Sequence, residues 1–571
     1  MLDVALRGGD VVDGTGGPRR RVDIGIQGGR IVSIGEVGPA VEEIDATGLI
    51  VAPGFCDVHT HFDAQVFWDD ALTPSPQHGV TTVLAGNCGF TLTPMAPAAA
   101  DYLVRMLAVV EGMPLAALRA GVPLDWTTTA SYLDRIEGSL AINAGFLVGH
   151  SAMRRVVMGR DATTRPATPD EVVAMSTLLR DGLEAGGLGF SSSYGVAHQD
   201  GDGDPVPSRA ATADELVTLA AVCARVEGTS LEFLPARVDV FDDAQLDLLT
   251  RMSAAAGRPL NWNVIRITEA SIDETRGVLS AGAYAKKHSA RIVALSMPIP
   301  SRARFSFATG FVLDALPGWR STMSLPIPER VAALRDPAVR ARLAEGALSA
   351  VGGLKEIAEF EARVIVEAFS PEAKAYEGHL IADIAREEGR DPFDVLLDIV
   401  CADDLQTTFT RVPSFPTAED WRLAAELWRE GHAMIGASDA GAHLDFTAYF
   451  DYPVYVLEHG VRHHGVLSLE EAVHLMTDVP AQLYGVRDRG RLTEGSWADI
   501  VLFDEATIAT GRMHTRFDLP AGAGRLYAEP IGIHRVLVNG ATVVRDGELT
   551  EARPGQLLRS GRDTRTPDLA I

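Results

Sequence analysis

The amino-acid sequence predicts an α/β protein: a (β/α)8 TIM-like barrel with a small β-sandwich domain built from both chain ends. Three observations lead there. Strand patterns alternate with helix patterns through the middle of the chain, as in a parallel sheet. Short, glycine-punctuated strands occupy both ends. Two histidines, His59 and His61, stand one residue apart just beyond an apolar run.

The first fifty residues read as strands at 4–6, 11–12, 22–26 and 31–34, separated by Gly-Gly or Asp-Gly turns. Matching strands reappear at 499–503, 535–540 and 542–544. Neither group has enough strands to bury a face alone, so the two are expected to build one sandwich from 1–54 and 485–571. Residues 55–484 form the barrel. Thr168-Pro169-Asp170-Glu171 is a helix start with proline in the first turn, leading into a helix over 172–184 and, past Gly186-Gly187, a strand. The unit repeats as helix 214–227 with strand 230–234, helix 244–256 with strand 260–265, helix 272–288 with strand 291–296, and helix 421–430 with strand 433–437. The stretch near 298–375 breaks this rhythm and reads as an insertion.

At 571 residues and 46% hydrophobic content the chain can bury a large core, and a formal net charge of −26 repels nucleic acid and anionic membrane surfaces. The N-terminus, MLDVALRGGD, has no signal-peptide core, and no apolar run reaches membrane-span length. The expected setting is the cytoplasm, the expected partner a small-molecule substrate, and a homo-oligomer is compatible with both. Four scattered cysteines do not make a disulfide framework.

Alternate residues of a strand share a face, so His59 and His61 point the same way at the carboxyl end of the first barrel strand, where barrel enzymes place their chemistry. Two converging imidazoles can share a divalent cation; the plainer alternative is two polar residues leaving a strand. The second strand, after His78, ends in Ala85-Gly86-Asn87-Cys88-Gly89. Cys88 as thiolate is a ligand suited to zinc, or else a small core residue. The last strand ends in Ser438-Asp439-Ala440-Gly441, where Asp439 can touch a metal and carry a proton, or simply make a turn. His150 ends another strand, as an oxyanion donor or a satisfied structural histidine. Ser191, Ser192, Ser193 and Tyr194 line the pocket or form a polar strand-to-loop junction. Asp200 to Pro205 begins like a calcium loop but lacks its central glycine and closing glutamate, and reads as a turn. His443 and the surface pair His463-His464 have no assigned role.

The blocks Ala52-Pro53-Gly54-Phe55, Asp57-Val58-His59-Thr60-His61-Phe62-Asp63-Ala64-Gln65, His78-Gly79-Val80-Thr81-Thr82-Val83, Gly86-Asn87-Cys88-Gly89-Phe90, Val148-Gly149-His150, Ser438-Asp439 and Met476-Thr477-Asp478-Val479-Pro480-Ala481 resemble the N-acyl-D-amino-acid deacylase (D-aminoacylase) branch of the amidohydrolase superfamily. So do Arg489-Gly490, Gly495 to Asp499, Val538-Asn539-Gly540 and Arg553-Pro554-Gly555. The resemblance implies metal-site roles for His59, His61, Cys88 and Asp439, with Asp439 also the proton shuttle. It also implies two further metal-binding histidines, on the strands that here read Ser230-Leu231-Glu232-Phe233-Leu234 and Leu260-Asn261-Trp262-Asn263-Val264. Neither strand has one. Glu232 can substitute as a carboxylate ligand, and Asn261 or Asn263 can offer a weak carbonyl oxygen or a hydrogen bond to substrate.

The resulting expectation is one divalent ion, zinc foremost, held by His59, His61 and Asp439 with Cys88 or Glu232 adjoining, and Ser192, Tyr194 and Asn263 facing the substrate. The lysine and aromatic pair that the resemblance implies for gripping a substrate carboxylate are missing. The expected reaction is therefore hydrolysis of an amide or lactam C–N bond by an activated water, with Asp439 as general base and acid and His150 assisting. Alternatives are a hydrolase or lyase acting on an ester, lactone or C–C bond, and a metal-poor relative that only binds a ligand.

Overall fold

The computed structural model describes residues 1–310, 312–412 and 414–569, and its architecture is mixed α/β. Eight strands carry the middle of the chain: β1 (Phe55–Asp57), β2 (Val80–Ala85), β3 (Asn143–Phe146, continued by Val148–Gly149), β4 (Gly189–Ser193), β5 (Ser230–Leu234), β6 (Leu260–Ile265), β7 (Ile292–Ser296) and β8 (Ala433–Ile435). Each pairs in parallel with the next. A parallel bridge between Thr60 and Ala440 then sets the chain leaving β8 against the chain leaving β1. Strands covered on both faces need apolar side chains throughout, and β2 (VTTVLA) is buried at every position.

The intervening helices start where their caps dictate. Thr168 Oγ1 accepts the Glu171 N–H at 3.3 Å and Glu171 Oε2 accepts the Thr168 N–H at 2.7 Å, a capping box that opens the helix Pro169–Glu184. A like box between Thr417 and Asp420 starts the helix Ala418–Arg429 three residues before the sequence-based boundary. The helix expected over 214–227 is shorter, Ala213–Val222, and passes into a 3-10 turn, Cys223–Arg225.

Both chain ends enter one seven-stranded sheet. It sets Asp10–Val11, Arg20–Arg21 and Ile50–Pro53 on one side and Ile500–Phe503, Ile533–Val538, Ala541–Arg545 and Glu548–Leu549 on the other, joined where Ile50–Pro53 meets Ile500–Phe503. A four-stranded sheet of Leu2–Arg7, Asp23–Gln27, Arg30–Gly35 and Ala40–Asp45 shares its core: Val4, Ile24 and Ile31 pack with Val51, Ile500 and Leu537. Antiparallel pairing of Ile50–Pro53 with Ile500–Phe503 pins the entry to β1 onto the C-terminal chain. At the start of β3, Asn143 donates to Asp499 (3.1 Å) and accepts from Asn539 (2.9 Å), tying that strand to the same sheet.

Between β7 and β8 the chain builds a second apolar core from Phe305, Phe307, Trp319, Leu343, Ile365, Leu397 and Phe409. This separately cored region runs past 375, where the sequence pattern ended it. Helices Ile381–Glu388 and Pro392–Ala402 turn Ile381, Ile384, Leu396 and Leu397 into it rather than toward the parallel strands. All four cysteines are buried and unpaired, and among the described residues no helix is long and apolar enough to cross a membrane.

Candidate metal centre

Backbone hydrogen bonds bring the distant segments together before any side chain acts. Beyond β1, the Thr60 N–H donates to Leu84 O (3.1 Å) on one side, and on the other the His61 N–H donates to Ala440 O (2.7 Å) while the Asp439 N–H donates to His59 O (3.1 Å). The segment 437–441 can lie this close because of Gly441. Its φ is +92°, and a Cβ there would come within 2.5 Å of His61 O. Ala437, Asp439, His443 and Cys88 also hold positive φ, at 66°, 56°, 49° and 56°. Such backbone is worth about 1–3 kcal/mol of strain per residue and clusters at functional sites.

The side chains converge at this point. His59 Nε2 lies 3.7 Å from Cys88 Sγ and 3.5 Å from Asp439 Oδ1, and His61 Nε2 lies 3.2 Å from the same carboxylate oxygen. The ligand atoms of His59, His61 and Cys88 all fall within 4.8 Å of one another. Asp57 and Asp63 hold main chain rather than rings: Asp57 Oδ1 accepts the His59 N–H at 3.4 Å, and Asp63 Oδ2 accepts the Gly86 N–H at 3.0 Å.

Glu232 and Asn263 adjoin this cluster and are joined to each other. Glu232 Oε2 accepts the Cys88 N–H at 2.7 Å, its Oε1 accepts from the Asn263 amide, and that amide stands 3.7 Å from Cys88 Sγ. Asn261 lies elsewhere, donating to Val293 O at 3.0 Å and accepting from the Tyr484 hydroxyl at 3.2 Å.

Three expected pocket residues are committed to the fold instead. His150 is the first residue of the helix His150–Met158, and both its ring nitrogens are engaged: Nδ1 with Ser192 Oγ at 2.8 Å and Nε2 with Glu215 Oε1 at 2.9 Å. It has no nitrogen left for an oxyanion, and Ser192 is occupied by the same contact. Tyr194 donates its hydroxyl to Ala211 O at 2.8 Å. The acidic turn is a turn: Asp200 Oδ1 accepts the Asp202 and Asp204 N–H groups at 2.9 and 3.0 Å.

Two residues that the sequence did not single out join the site, together with one left unassigned. Glu111 follows the helix Ala100–Val110 and places Oε1 3.3 Å from His61 Nδ1. No periodicity marks it, because only tertiary packing carries that helix end to the histidines. His198 follows β4, bonds Ser193 Oγ through Nδ1 at 2.9 Å, and lies within range of the charges of His443, His61 and Asp439; its place past a strand end was the available signal. His443, four residues beyond Asp439 in the same glycine-containing loop, sets Nε2 3.8 Å from Asp439 Oδ2.

Burial governs the electrostatics. It holds the His59 ring down at about 3, with His61 beside it adding to the effect. It works against His61 too, but Glu111 and then Asp439 raise that ring to about 9. Burial lifts Glu111 to about 7 and Glu232 to about 8, and pushes the Cys88 thiol far up, helped by the charges of Glu232, Glu111 and Asp439. Asp439 resists: burial opposes its charge, yet the hydrogen bond from His61 and the nearby rings hold its carboxyl below the usual carboxylate range. Carboxyl groups and a thiol crowded into a dry site favour a cation.

Imidazoles, a carboxylate and a thiol gathered beyond the carboxyl ends of parallel strands are a donor set of the kind metal-dependent hydrolases use. The model of the Amidohydrolase family matches residues 42–544, and the chain belongs to that family, as a hydrolase acting on carbon–nitrogen bonds other than peptide bonds. It is 30% identical to the N-acyl-D-glutamate deacylase of Alcaligenes xylosoxydans xylosoxydans, over 98% of this chain and 96% of that one. Among solved structures it resembles the N-acyl-D-glutamate deacylase of Bordetella bronchiseptica complexed with zinc and a phosphonate mimic of the tetrahedral intermediate (27% identity, TM-score 0.63). It also resembles a D-aminoacylase studied for its binuclear metal centre (26% identity, TM-score 0.64). Each alignment covers 98% of this chain and 100% of the other.

Glu111 stands behind His61 where a carboxylate would orient that ring if it held a metal. Glu111→Gln is expected to weaken divalent-metal affinity by about 10–100-fold, read by competition with a chromogenic chelator. Unchanged affinity would leave Glu111 a packing residue.

Proposed function

We propose that this chain is a single-metal amidase in which a (β/α)8 barrel, carried on a two-sheet sandwich, presents His59, His61, Cys88 and Asp439 to one zinc ion. The proposed domains are 1–54 with 485–571 for the sandwich and 55–484 for the barrel. One observation carries the reading: beyond β1, β2 and β8 these four side chains, widely spaced in sequence, converge on His59, which lies 3.7 Å from Cys88 and 3.5 Å from Asp439, while His61 lies 3.2 Å from Asp439.

The residues fit such an ion. The His59 and His61 Nε2 atoms both face Asp439 Oδ1, at 3.5 and 3.2 Å, with Cys88 Sγ 3.7 Å from the first, and this donor set of nitrogen, oxygen and sulfur suits zinc. A single ion is favoured because the Glu232 carboxylate and the Asn263 amide hydrogen-bond to each other and to Cys88 where a second ion would need imidazoles. A divalent cation, when bound, supplies Lewis acidity and brings the pKa of a water down to about 7.

The chain's own groups do the rest. Asp439, ionised at neutral pH, takes the proton of the attacking water and returns it to the leaving nitrogen. His443, 3.8 Å from Asp439 Oδ2, replaces His150 as the imidazole placed to meet the oxyanion.

The substrate is an amide without a free α-carboxylate. Burial first, and then neighbouring carboxylates and imidazoles, sets the charge state of Glu111, Asp439 and His443. Arg266, the cation just beyond β6, gives its guanidinium to Ile299 O and to the Tyr449 hydroxyl (3.1 Å). The test is a turnover panel of N-acetyl-D-amino acids, neutral N-acyl amides and lactams, before and after chelation. Neutral substrates should show kcat/KM higher by about tenfold or more, and activity should vanish on chelation and return with one equivalent of zinc. Preference for N-acetyl-D-amino acids would overturn the substrate assignment, and turnover indifferent to chelation would overturn the mechanism.

A further inference from the structure

The pair His463-His464 takes no part in the centre above, but its surroundings are organised. His463 closes a π-helix, Val456–His463, on the chain that follows β8, with the His464 N–H bonded to His459 O at 2.9 Å. Wide helical turns of this kind are rare and recur at functional sites. Here the turn brings one carboxylate oxygen of Glu458 and one ring nitrogen each of His459 and His463 within 4.8 Å of one another.

Each donor is prepared. Glu458 is held in place by the Thr510 N–H and hydroxyl, which donate to its Oε2 at 2.8 and 2.9 Å; that oxygen lies 3.8 Å from His459 Nε2, while Arg462 lies 3.8 Å from Oε1. The His459 ring packs on Tyr455 at a centroid distance of 4.1 Å, and the His463 ring stands edge-on to it at 5.0 Å. His463 is exposed, which leaves the group open to solvent on that side.

We propose that Glu458, His459 and His463 form a second divalent-metal site, sharing no residue with the catalytic centre. Two imidazoles with one carboxylate select zinc, copper or nickel over the harder calcium and magnesium, with water completing the coordination. The ion would fix this helix to the C-terminal chain, because Glu458 already holds Thr510 and Arg462 donates to Ala506 O at 2.6 Å.

The test is equilibrium dialysis of the full-length protein against Zn2+ with elemental counting, comparing wild type with His463→Ala and Glu458→Gln. The wild type should take up one equivalent more than His463→Ala at the same free zinc, and Glu458→Gln should bind that equivalent at least about tenfold more weakly. Amide hydrolysis should be unchanged in both variants. Since His463 is exposed, His463→Ala keeps the fold, which circular dichroism verifies. Equal zinc uptake and affinity in wild type and His463→Ala would overturn the site. That result would leave the catalytic ion untouched, because activity after chelation and zinc return reports the catalytic ion alone.

Discussion

Asp439→Asn is expected to lower kcat by about 10²–10⁴-fold while the protein retains its catalytic metal. The substitution keeps an oxygen where Oδ1 stands, 3.5 Å from His59 Nε2 and 3.2 Å from His61 Nε2, and leaves the thiol of Cys88 in place. It removes the charge that accepts a proton from water. An amide does not ionise and cannot return that proton to a leaving nitrogen. Elemental analysis paired with steady-state kinetics separates the two effects. Near-normal kcat would remove Asp439 from proton transfer, whereas loss of both metal and rate would make it a ligand first.

Glu215→Gln should produce the largest loss of stability, about 3–5 kcal/mol, because it leaves a buried guanidinium without its counter-charge. Glu215 sits in the first turn of the helix Ala213–Val222 and its carboxylate meets Arg154 Nη1 at 2.5 and 2.6 Å, as well as His150. Arg154 is fully buried, and its remaining donors are taken by Ala162 O and Arg165 O. Burial works against ionising Glu215, but His150 and Arg154 hold its carboxyl at about 2, down from 4.5. With the folded value depressed, the pairing contributes fully above about pH 4.5 and is lost as pH falls through about 2. Denaturant titration of wild type and variant should therefore show a gap that is widest at neutral pH and narrows below pH 4.5. A gap independent of pH would mean that packing, not charge, is what the glutamate supplies.

The same residues show what a sequence discloses. His59 and His61 were legible because chain that runs on from a strand turns alternate residues to one face, although β1 itself ends at Asp57, and the Pro-Gly pair ahead of them fixes where the chain enters β1. Cys88 and Asp439 were legible as polar groups at the ends of apolar strands. Strand limits at 230–234 and 260–265 were recovered as they stand, since a glycine ahead of each, Gly228 and Gly257, marks where the chain leaves the preceding helix.

His150 misled for a physical reason: at a strand end only the backbone direction decides whether a ring faces the mouth or the helix layer. Here it turns to Glu215 on a helix more than sixty positions downstream. Glu111 carried no local mark, and the bond between Glu232 and Asn263 depends on how β5 and β6 are registered, which neither strand states alone. The region between β7 and β8 hid its extent because its short helices pack on one another and do not repeat the period of the surrounding units.

X-ray diffraction from crystals grown with zinc, recorded on both sides of the zinc absorption edge, addresses the centre itself. The expected anomalous map has one peak at this site, bonded to His59 Nε2, His61 Nε2 and Asp439, with Cys88 alongside and Glu232 still bonded to Asn263. A map with no peak there, or with a second ion between Cys88 and Glu232, would contradict a hydrolase built on one ion.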